Sequence, residues 1–126
     1  ALLPNTTGPV SLDVLDRPWS APEADAVFSA NTTHIMHWDS VVALFGGVGE
    51  LLRKRGLFCL YGPFNYGGEY TSESNAQFDE WLHERDPLSG IRDFDDLDRL
   101  ALQAGLRLEH DYAMPANNRI LSWRKA

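Results

Sequence analysis

The residues best suited to chemistry follow three apolar segments of the sequence. Asp13 lies near the end of the alternating segment 10–14, and the polar run Asn31-Thr32-Thr33-His34 follows the next apolar segment. A loop rich in tyrosine, residues 61–70, follows the apolar run 56–60. A carboxylate can accept hydrogen bonds from a ribose or an adenine amine, and an amide can hold a polar ligand tail. Together these groups suit the binding of a polar small molecule.

Three strands are needed to bring these groups together. Segments 10–14 and 24–31 and the unbroken apolar run 56–60 each predict a strand, the last of them buried. Gly62-Pro63 ends that strand, because proline has no N–H to give to a neighbouring strand. The carboxyl ends of parallel strands meet at one edge of the sheet, where ligands of open α/β sheets bind. A solvated carboxylate at Asp13 and a loop ordered by its own rings are the plainer alternatives.

The remaining periodic segments predict the fold class. Helical spacing of apolar residues predicts helices over 39–53, 72–85 and 93–104, with Gly56 and Gly105 as C-terminal stops. The second helix carries Phe78, Trp81 and Leu82 on its apolar side. Segments 106–114 and 119–124 predict a hairpin. The class is therefore α/β, with a mixed, mostly parallel sheet and an antiparallel terminal hairpin.

Composition excludes several classes of function. A net charge of −7 leaves no basic stripe for nucleic acid, and Arg53-Lys54-Arg55 is predicted to complement the dipole at a helix end. No segment is long and apolar enough to span a membrane, and no signal peptide is visible, so we expect a cytoplasmic protein. Cys59 is predicted to be a core residue. His34 and His37 have no third ligand nearby, so no metal site is predicted.

Five motifs, in register, carry a resemblance to a known family. They are Ser29-Ala30-Asn31-Thr32-Thr33-His34-Ile35-Met36, Leu60-Tyr61-Gly62-Pro63-Phe64-Asn65-Tyr66-Gly67-Gly68, Ser72-Glu73-Ser74-Asn75-Ala76-Gln77-Phe78-Asp79, Gly90-Ile91-Arg92-Asp93 and Met114-Pro115-Ala116-Asn117-Asn118. On these residues the chain, from about residue 10 to its C-terminus, resembles the proteins similar to methyltransferase-like protein 26. These are class I S-adenosylmethionine-dependent methyltransferases long catalogued as a domain of unknown function.

The resemblance implies a cofactor site and an acceptor site. The class I fold is a seven-stranded sheet with an antiparallel final hairpin. By analogy, Asp13 with Val14 falls where this fold contacts the adenine of S-adenosylmethionine, and Asn31 with Thr32 falls beside its methionine part. The acceptor side would comprise the proton-handling candidates His34, Tyr61 and Tyr66 and the binding candidates Asn75, Arg92, Asn117 and Asn118. We expect Tyr61, Tyr66, Asn75, Arg92 and Asn117 to converge on one cleft.

The sequence departs from the family because the first two strands and their glycine-rich loop are absent. In the full fold those strands lie between segments 10–14 and 24–31. Residues 1–126 are therefore predicted to form a single truncated methyltransferase-like domain, with an irregular segment 1–23 that contains one short strand. The edge of strand 24–31 would be left unpaired. We expect its partner to be a missing N-terminal half or a second copy of the chain.

Two functions remain open on the sequence. The first is the C-terminal part of an S-adenosylmethionine-dependent methyltransferase-like protein that acts on a small-molecule acceptor, with this fragment inactive alone. The second is a non-catalytic binding or interaction module that keeps the methyltransferase fold. Methyl transfer needs mainly alignment and desolvation of the acceptor, so no particular side chain is compelled to take part.

Overall fold

The computed structural model describes residues 3–126, which form four strands, three helices and one 3-10 turn. In chain order these are β1 (Ala24–Ala30), α1 (Trp38–Leu51), β2 (Leu52–Gly62), α2 (Glu73–Arg85), α3 (Phe94–Gln103), β3 (Leu106–Met114), the turn Pro115–Asn117 and β4 (Asn118–Lys125). None of the helices in this part of the chain could cross a membrane, since each is too short or too polar.

The four strands form one mixed sheet in the order β1-β2-β4-β3. β1 and β2 are parallel, while β4 is antiparallel to both β2 and β3. The predicted α/β class and its antiparallel terminal hairpin are confirmed, and the parallel part consists of the single pair β1–β2. β2 is a central strand between β1 and the hairpin, as the apolar run 56–60 indicated.

The hydrophobic core covers one face of this sheet. Phe58 and Leu60 of β2 lie opposite Trp123 and Leu121 of β4, and all four side chains are fully buried. Phe45 of α1 packs edge-on against the rings of Phe58 and Trp123, at centroid distances of 5.5 and 5.4 Å. Burial of these large rings supplies the main stabilisation of the fold.

The other face of the sheet remains largely open. β2 alternates between buried and partly exposed residues along 56–62, so Cys59 is half-buried rather than part of the core. Phe28, its neighbour on β1, is 65% exposed, and Tyr112 on β3 is 52% exposed. The prediction of a strand buried on both faces is therefore wrong for Cys59. An apolar run alone does not reveal that only one face has helices packed on it.

The predicted strand at residues 10–14 does not form. Residues 8–13 have no regular structure, and a turn follows at Val14. A strand needs a partner for its N–H and C=O groups, and β1 is hydrogen-bonded only to β2 among the described residues. The chain instead turns towards α1, where Arg17 pairs with Glu50 at 2.7 Å.

The boundary between α1 and β2 also differs from the prediction. The helix ends at Leu51, and Arg53-Lys54-Arg55 lies in the strand instead of closing the helix. Arg53 pairs there with Glu23 and Asp25. Gly56 is not a helix stop, since a Cβ at this position would lie 2.8 Å from the Arg53 carbonyl oxygen. The glycine allows the close backbone approach at the start of β2.

The helices after the loop are predicted well, apart from the buried side of α2. Ser72 caps α2 by accepting a hydrogen bond from the Asn75 backbone N–H. The buried positions of α2 are Asn75, Asp79 and Leu82, whereas Trp81 is 48% exposed. Placing Trp81 on the buried side was therefore wrong. Two of the three buried positions are taken by Asn75 and Asp79, whose side chains are hydrogen-bonded.

Candidate functional site

A cavity of about 440 Å³ lies at the carboxyl edge of the parallel strands. Five of the eight residues that line it are uncharged and polar, namely Asn31, Ser74, Asn75, Asn117 and Asn118, and the other three are Pro63, Phe78 and Ala116. Four of the site residues predicted from the sequence, Asn31, Asn75, Asn117 and Asn118, are among them. They come from three separate parts of the chain, so the fold brings them together.

Each wall of the cavity follows the end of a regular element. Asn31 comes directly after β1, and Pro63 comes directly after β2. Asn117 and Asn118 lie where the hairpin turn meets β4. The fourth wall is the N-terminal half of α2, which presents Ser74, Asn75 and Phe78. The cavity therefore occupies the edge where ligands of open α/β sheets bind.

The backbone around the cavity is held in an uncommon conformation. Asn31, Ala116 and Asn117 have φ values of 56°, 61° and 60°. Within residues 3–126 the only other non-glycine residue with positive φ is Arg55. Left-handed backbone costs an L-residue about 1–2 kcal/mol, and asparagine tolerates it better than alanine. Residues held in this way cluster at ligand sites, so their position supports a binding role for the cavity.

Three of the four asparagines of the cavity donate side-chain hydrogen bonds to neighbouring segments. The side-chain N–H₂ of Asn75 donates to Thr71 Oγ1 at 3.1 Å and to the Asn117 carbonyl oxygen at 3.4 Å. Asn117 in turn donates to Ser74 Oγ at 3.3 Å. Asn118 donates to the Tyr61 hydroxyl at 3.1 Å, which places Tyr61 behind the cavity wall. This network fixes α2 against the hairpin turn.

His34 lies beside this wall and is almost completely buried. Its ring meets Phe78 edge-on at a centroid distance of 5.4 Å, and its carbonyl oxygen accepts a hydrogen bond from Gly90. Burial, and then the positive charge of Arg92, lower the pKa of His34 below its ordinary value. The imidazole is therefore neutral at pH 7 and has the capacity to accept a proton.

Thr32, the second residue of the polar run, hydrogen-bonds within its own turn. Its hydroxyl lies 2.7 Å from the Ser29 hydroxyl, and its carbonyl oxygen accepts from the Ile35 N–H. Thr32 is not part of the cavity lining. It shapes the turn that carries Asn31 and His34.

Tyr66 lies away from the cavity, contrary to the predicted convergence. Its hydroxyl donates to Asp111 at 2.7 Å, and its ring stacks on Phe94 at 5.4 Å. Burial and the Asp111 carboxylate raise the pKa of Tyr66 far above its ordinary value, so the phenol keeps its proton. Tyr66 connects the loop after β2 to β3 and α3.

Arg92 also lies outside the cavity. Its guanidinium donates to the carbonyl oxygens of Thr33, Met36 and Leu88 and lies 5.7 Å from the Trp38 ring centroid. It lines a separate cavity of about 430 Å³ with Trp38 and Asn65. The predicted cleft therefore forms from Asn75 and Asn117, with Tyr61 behind it, while Tyr66 and Arg92 stabilise neighbouring loops.

Asp13 and Val14 also lie outside the cavity lining. Asp13 Oδ1 accepts a hydrogen bond from the Leu15 N–H at 3.0 Å, and the Val14 carbonyl oxygen accepts from Trp19 Nε1 at 3.1 Å. The Trp19 ring rests on Gly47 of α1. Asp13 was predicted to lie at the end of a strand over residues 10–14. Because that strand does not form, Asp13 does not lie at a strand end.

Sequence reasoning did not assign a site role to Ser74 and Phe78, nor to the buried carboxylate of Asp79. Asp79 accepts hydrogen bonds from the Ile91 N–H at 2.8 Å and from the Tyr70 hydroxyl at 2.6 Å. This fastens the tyrosine-rich loop to α2. The available signal was spacing, because Asn75, Asp79 and Leu82 fall on one face of a helix.

Comparison with known families assigns the chain. A family model described as a protein of unknown function, DUF938, matches residues 1–125. The chain belongs to this family. The match spans nearly the whole sequence. It includes every residue of the cavity lined by Asn31, Asn75, Asn117 and Asn118, called the amide-lined cavity below.

Solved structures show which fold the DUF938 chain has. An O-methyltransferase family protein from Burkholderia thailandensis aligns with 90% of this chain at a TM-score of 0.78 and 15% identity. An O-methyltransferase family 2 protein from Planctomyces limnophilus, in complex with apigenin, aligns with 90% of this chain at a TM-score of 0.79 and 14% identity. Human N-acetylserotonin methyltransferase in complex with SAM aligns with 90% of this chain at a TM-score of 0.73 and 17% identity. At these identities the similarity establishes the fold alone.

The DUF938 chain spans only about a third of those proteins. It covers 34%, 33% and 32% of their lengths, respectively. Its mixed sheet matches their C-terminal part. The chain therefore has the fold of the C-terminal part of a class I methyltransferase, with four strands where the full sheet has seven.

Proposed function

We propose that this chain is the C-terminal part of an S-adenosylmethionine-dependent methyltransferase that acts on a small acceptor. The observation that carries the proposal is the amide-lined cavity at the carboxyl edge of β1 and β2, in a chain with this fold. The five motifs of the sequence also support a place among the proteins similar to methyltransferase-like protein 26.

The residues present fit one side of the cofactor. S-adenosylmethionine, when bound, supplies an electrophilic methyl group on a sulfonium. Asn31 directly follows β1, and its side chain makes no hydrogen bond to the described residues, so its amide is available for the methionine part, with Thr32 shaping the turn. The sequence contains no glycine-rich loop after a strand. Segment 10–14 is not a strand in this chain. Asp13 and Val14 are therefore proposed as adenine contacts only in a protein whose further strands pair with this segment.

The acceptor side is proposed to be the cavity itself. Asn75, Asn117 and Asn118 would orient the acceptor, since their network is rigid and needs no rearrangement on binding. His34 and Tyr61 are the proposed proton-handling groups, because both contact residues of the cavity wall. Tyr66 and Arg92 have no part in this proposal, since their polar groups are committed elsewhere.

A second candidate is a binding module without chemistry. One observation favours it: none of the eight residues that line the cavity carries a titratable side chain. Such a site aligns and desolvates a ligand but has no acid or base in direct contact with it. A non-catalytic domain with this fold would present the same surface.

We also propose that the open side of the sheet is covered in the functional protein. Parallel strands in α/β proteins have both faces covered, whereas Phe28 is 65% exposed here. The proposed covering is the N-terminal part of the same fold or a second copy of this chain.

Thermal unfolding with S-adenosylmethionine tests the proposed function. The protein in its longest natural form should gain stability with ligand concentration as RT ln(1 + [L]/Kd), whereas this 126-residue chain alone should gain none. The matched control ligand is adenosine, which lacks the methionine part. Stability of the longest form that is unchanged across the titration would favour the binding module instead.

A further inference from the structure

On the acceptor side of the amide-lined cavity, three asparagines leave their side-chain oxygens free. The side-chain N–H₂ groups of Asn75, Asn117 and Asn118 all donate to protein oxygens. Their Oδ1 atoms accept no hydrogen bond from the residues that the structure describes. A ligand on this side therefore meets three amide oxygens, which only accept hydrogen bonds, while the free Asn31 amide lies on the proposed cofactor side.

The orientation of two of these amides is fixed by their partners. Asn75 and Asn118 point their N–H₂ groups at the backbone carbonyl oxygens of Asn117 and Pro115, both at 3.4 Å. A carbonyl oxygen only accepts hydrogen bonds, so the nitrogen must face it and Oδ1 must face away. A flipped amide would place two oxygens against each other.

The cavity has no positively charged side chain to hold an anion. Lysine, arginine and histidine are absent from its lining. The N-terminus of α2 is nearby, but Ser72 Oγ already accepts the Asn75 N–H, and Glu73 adds a carboxylate to the first turn. Amide oxygens and this carboxylate repel negative charge, and no cation in the lining offsets that repulsion.

The remaining lining is apolar and suits a ring. Phe78 and Pro63 contribute an aromatic and a pyrrolidine surface, and Ala116 adds a methyl group. A volume of about 440 Å³ falls within the range of small-ligand sites. An apolar surface beside acceptor oxygens fits a flat ring that carries donor groups on its rim.

From this arrangement we infer that the cavity takes a neutral, ring-containing small molecule that offers several hydrogen-bond donors and carries no negative charge. In the proposed methyl transfer this molecule is the acceptor, so the inference rests on that function. A hydroxyl group is the simplest donor of this kind. Ligands whose polar groups are carboxylates or phosphates are excluded.

Two probes of equal ring size test the preference. Resorcinol offers two hydroxyl donors, whereas benzoate offers only acceptor oxygens and a negative charge. Each is titrated into the protein in its longest natural form while the side-chain amide signals of the asparagines are followed by NMR. We expect resorcinol to shift the signals of Asn75, Asn117 and Asn118 and to bind at least about tenfold more tightly than benzoate.

One variant removes a free amide oxygen from the acceptor side. Asn117 has left-handed backbone, which glycine adopts freely, and its side chain loses only the hydrogen bond to Ser74 Oγ. Asn117→Gly should weaken resorcinol binding about threefold to tenfold, the contribution of one neutral hydrogen bond. The control Gln77→Ala, at an exposed position of α2, should leave the affinity unchanged.

Three results would overturn the inference: benzoate bound as tightly as resorcinol, resorcinol bound equally by Asn117→Gly and the parent, or no shift of the asparagine signals with either probe. The same samples are melted with S-adenosylmethionine. Cofactor stabilisation without resorcinol binding refutes this inference alone, whereas resorcinol binding without cofactor stabilisation refutes the methyltransferase function and keeps the site.

Discussion

Leu60 and Cys59 are sequence neighbours in β2 that face opposite sides of the sheet. Leu60 is fully buried beside Leu121, while Cys59 is half-buried on the open face. Leu60→Ala should therefore cost about 2–5 kcal/mol in the free energy of unfolding, from lost burial and the cavity left behind. Cys59→Ala is the matched control and should cost under about 1 kcal/mol. Urea denaturation measures both, and equal losses would contradict the assignment of faces.

His34 should make stability depend on pH in a defined window. Its pKa is lowered in the folded protein, first by burial and then by Arg92. Stability from the neutral imidazole is thus fully present above pH 6.5 and declines as the pH falls through the folded pKa. His34→Gln should remove this decline, whereas His110→Gln, at an exposed position of β3, should keep it. The test is urea denaturation from pH 7.5 to pH 5, and an unchanged slope in His34→Gln would refute it.

Protonation of Asp86 acts in a different window. The hydrogen bond from His37 lowers the pKa of Asp86, so its stabilisation is lost only at acid pH, below the ordinary carboxyl range. The two effects are therefore separable in one pH series, although both involve histidines of the segment between β1 and α1.

At the scale of elements, α1 carries glycines whose replacement should have opposite effects. A Cβ on Gly49 would lie 2.6 Å from the Ala104 carbonyl oxygen, which belongs to the backbone at the end of α3. The atoms nearest to a Cβ on Gly46 would be those of the Arg17 guanidinium, the far end of a flexible side chain. Alanine gains about 1 kcal/mol of helix propensity at either site, but overpacking costs about 1–3 kcal/mol.

Gly46→Ala should accordingly be neutral or stabilising by up to about 1 kcal/mol, and Gly49→Ala should be destabilising. Thermal and urea unfolding of the two variants under the same conditions give the comparison. Stabilisation by Gly49→Ala would show that α1 and α3 do not approach as closely as the structure indicates.

Elements with local signals were predictable from the sequence. The N-caps of α2 and α3 are Ser72 and Asp93, two residue types that favour this position. Both side chains accept the expected backbone hydrogen bonds. Gly105, with φ of 80°, follows the C-terminal cap of α3 as predicted. A cap depends on residues within one turn, so sequence alone contains the information.

Elements that depend on distant partners were not predictable. Segment 10–14 alternates like a strand, yet no strand lies beside it. Gly56 resembles a helix stop, but it is placed by the carbonyl oxygens of Arg53 and Asp25, which a Cβ would approach within 2.8 and 3.1 Å. The sequence pattern shows which secondary structures a segment can adopt, and contacts with distant parts of the chain determine which one it adopts.

The same distinction applies to the candidate site. Asn75, Asn117 and Asn118 were predicted because they belong to motifs that carry the family resemblance, and they do line one cavity. Tyr66 was predicted with them, but its hydroxyl is bound by Asp111 from 45 residues further along the chain. Sequence proximity to the loop after β2 could not reveal that partner.

At the scale of the whole molecule, the open sheet face should promote association of the 126-residue chain. Phe28 lies on the outermost strand β1 and is 65% exposed, and exposed edges and apolar faces recruit partners. Multi-angle light scattering should detect dimers or larger species of this chain. Phe28→Ser should shift them towards monomer, whereas Leu102→Ser, which replaces a 59% exposed residue on α3, should not. A parent chain that stays monomeric at every concentration would rule out covering by a second copy of this chain.

The central claim is that the amide-lined cavity is the acceptor side of a methyltransferase. The most direct measurement is a crystal structure of the longest natural form with S-adenosylhomocysteine, the demethylated product of the cofactor. We predict that the sulfur of this ligand lies beside Asn31 at the carboxyl edge of β1 and faces the cavity between α2 and the hairpin turn. A sulfur bound away from that edge, or separated from the cavity by a closed wall of protein, would contradict the claim.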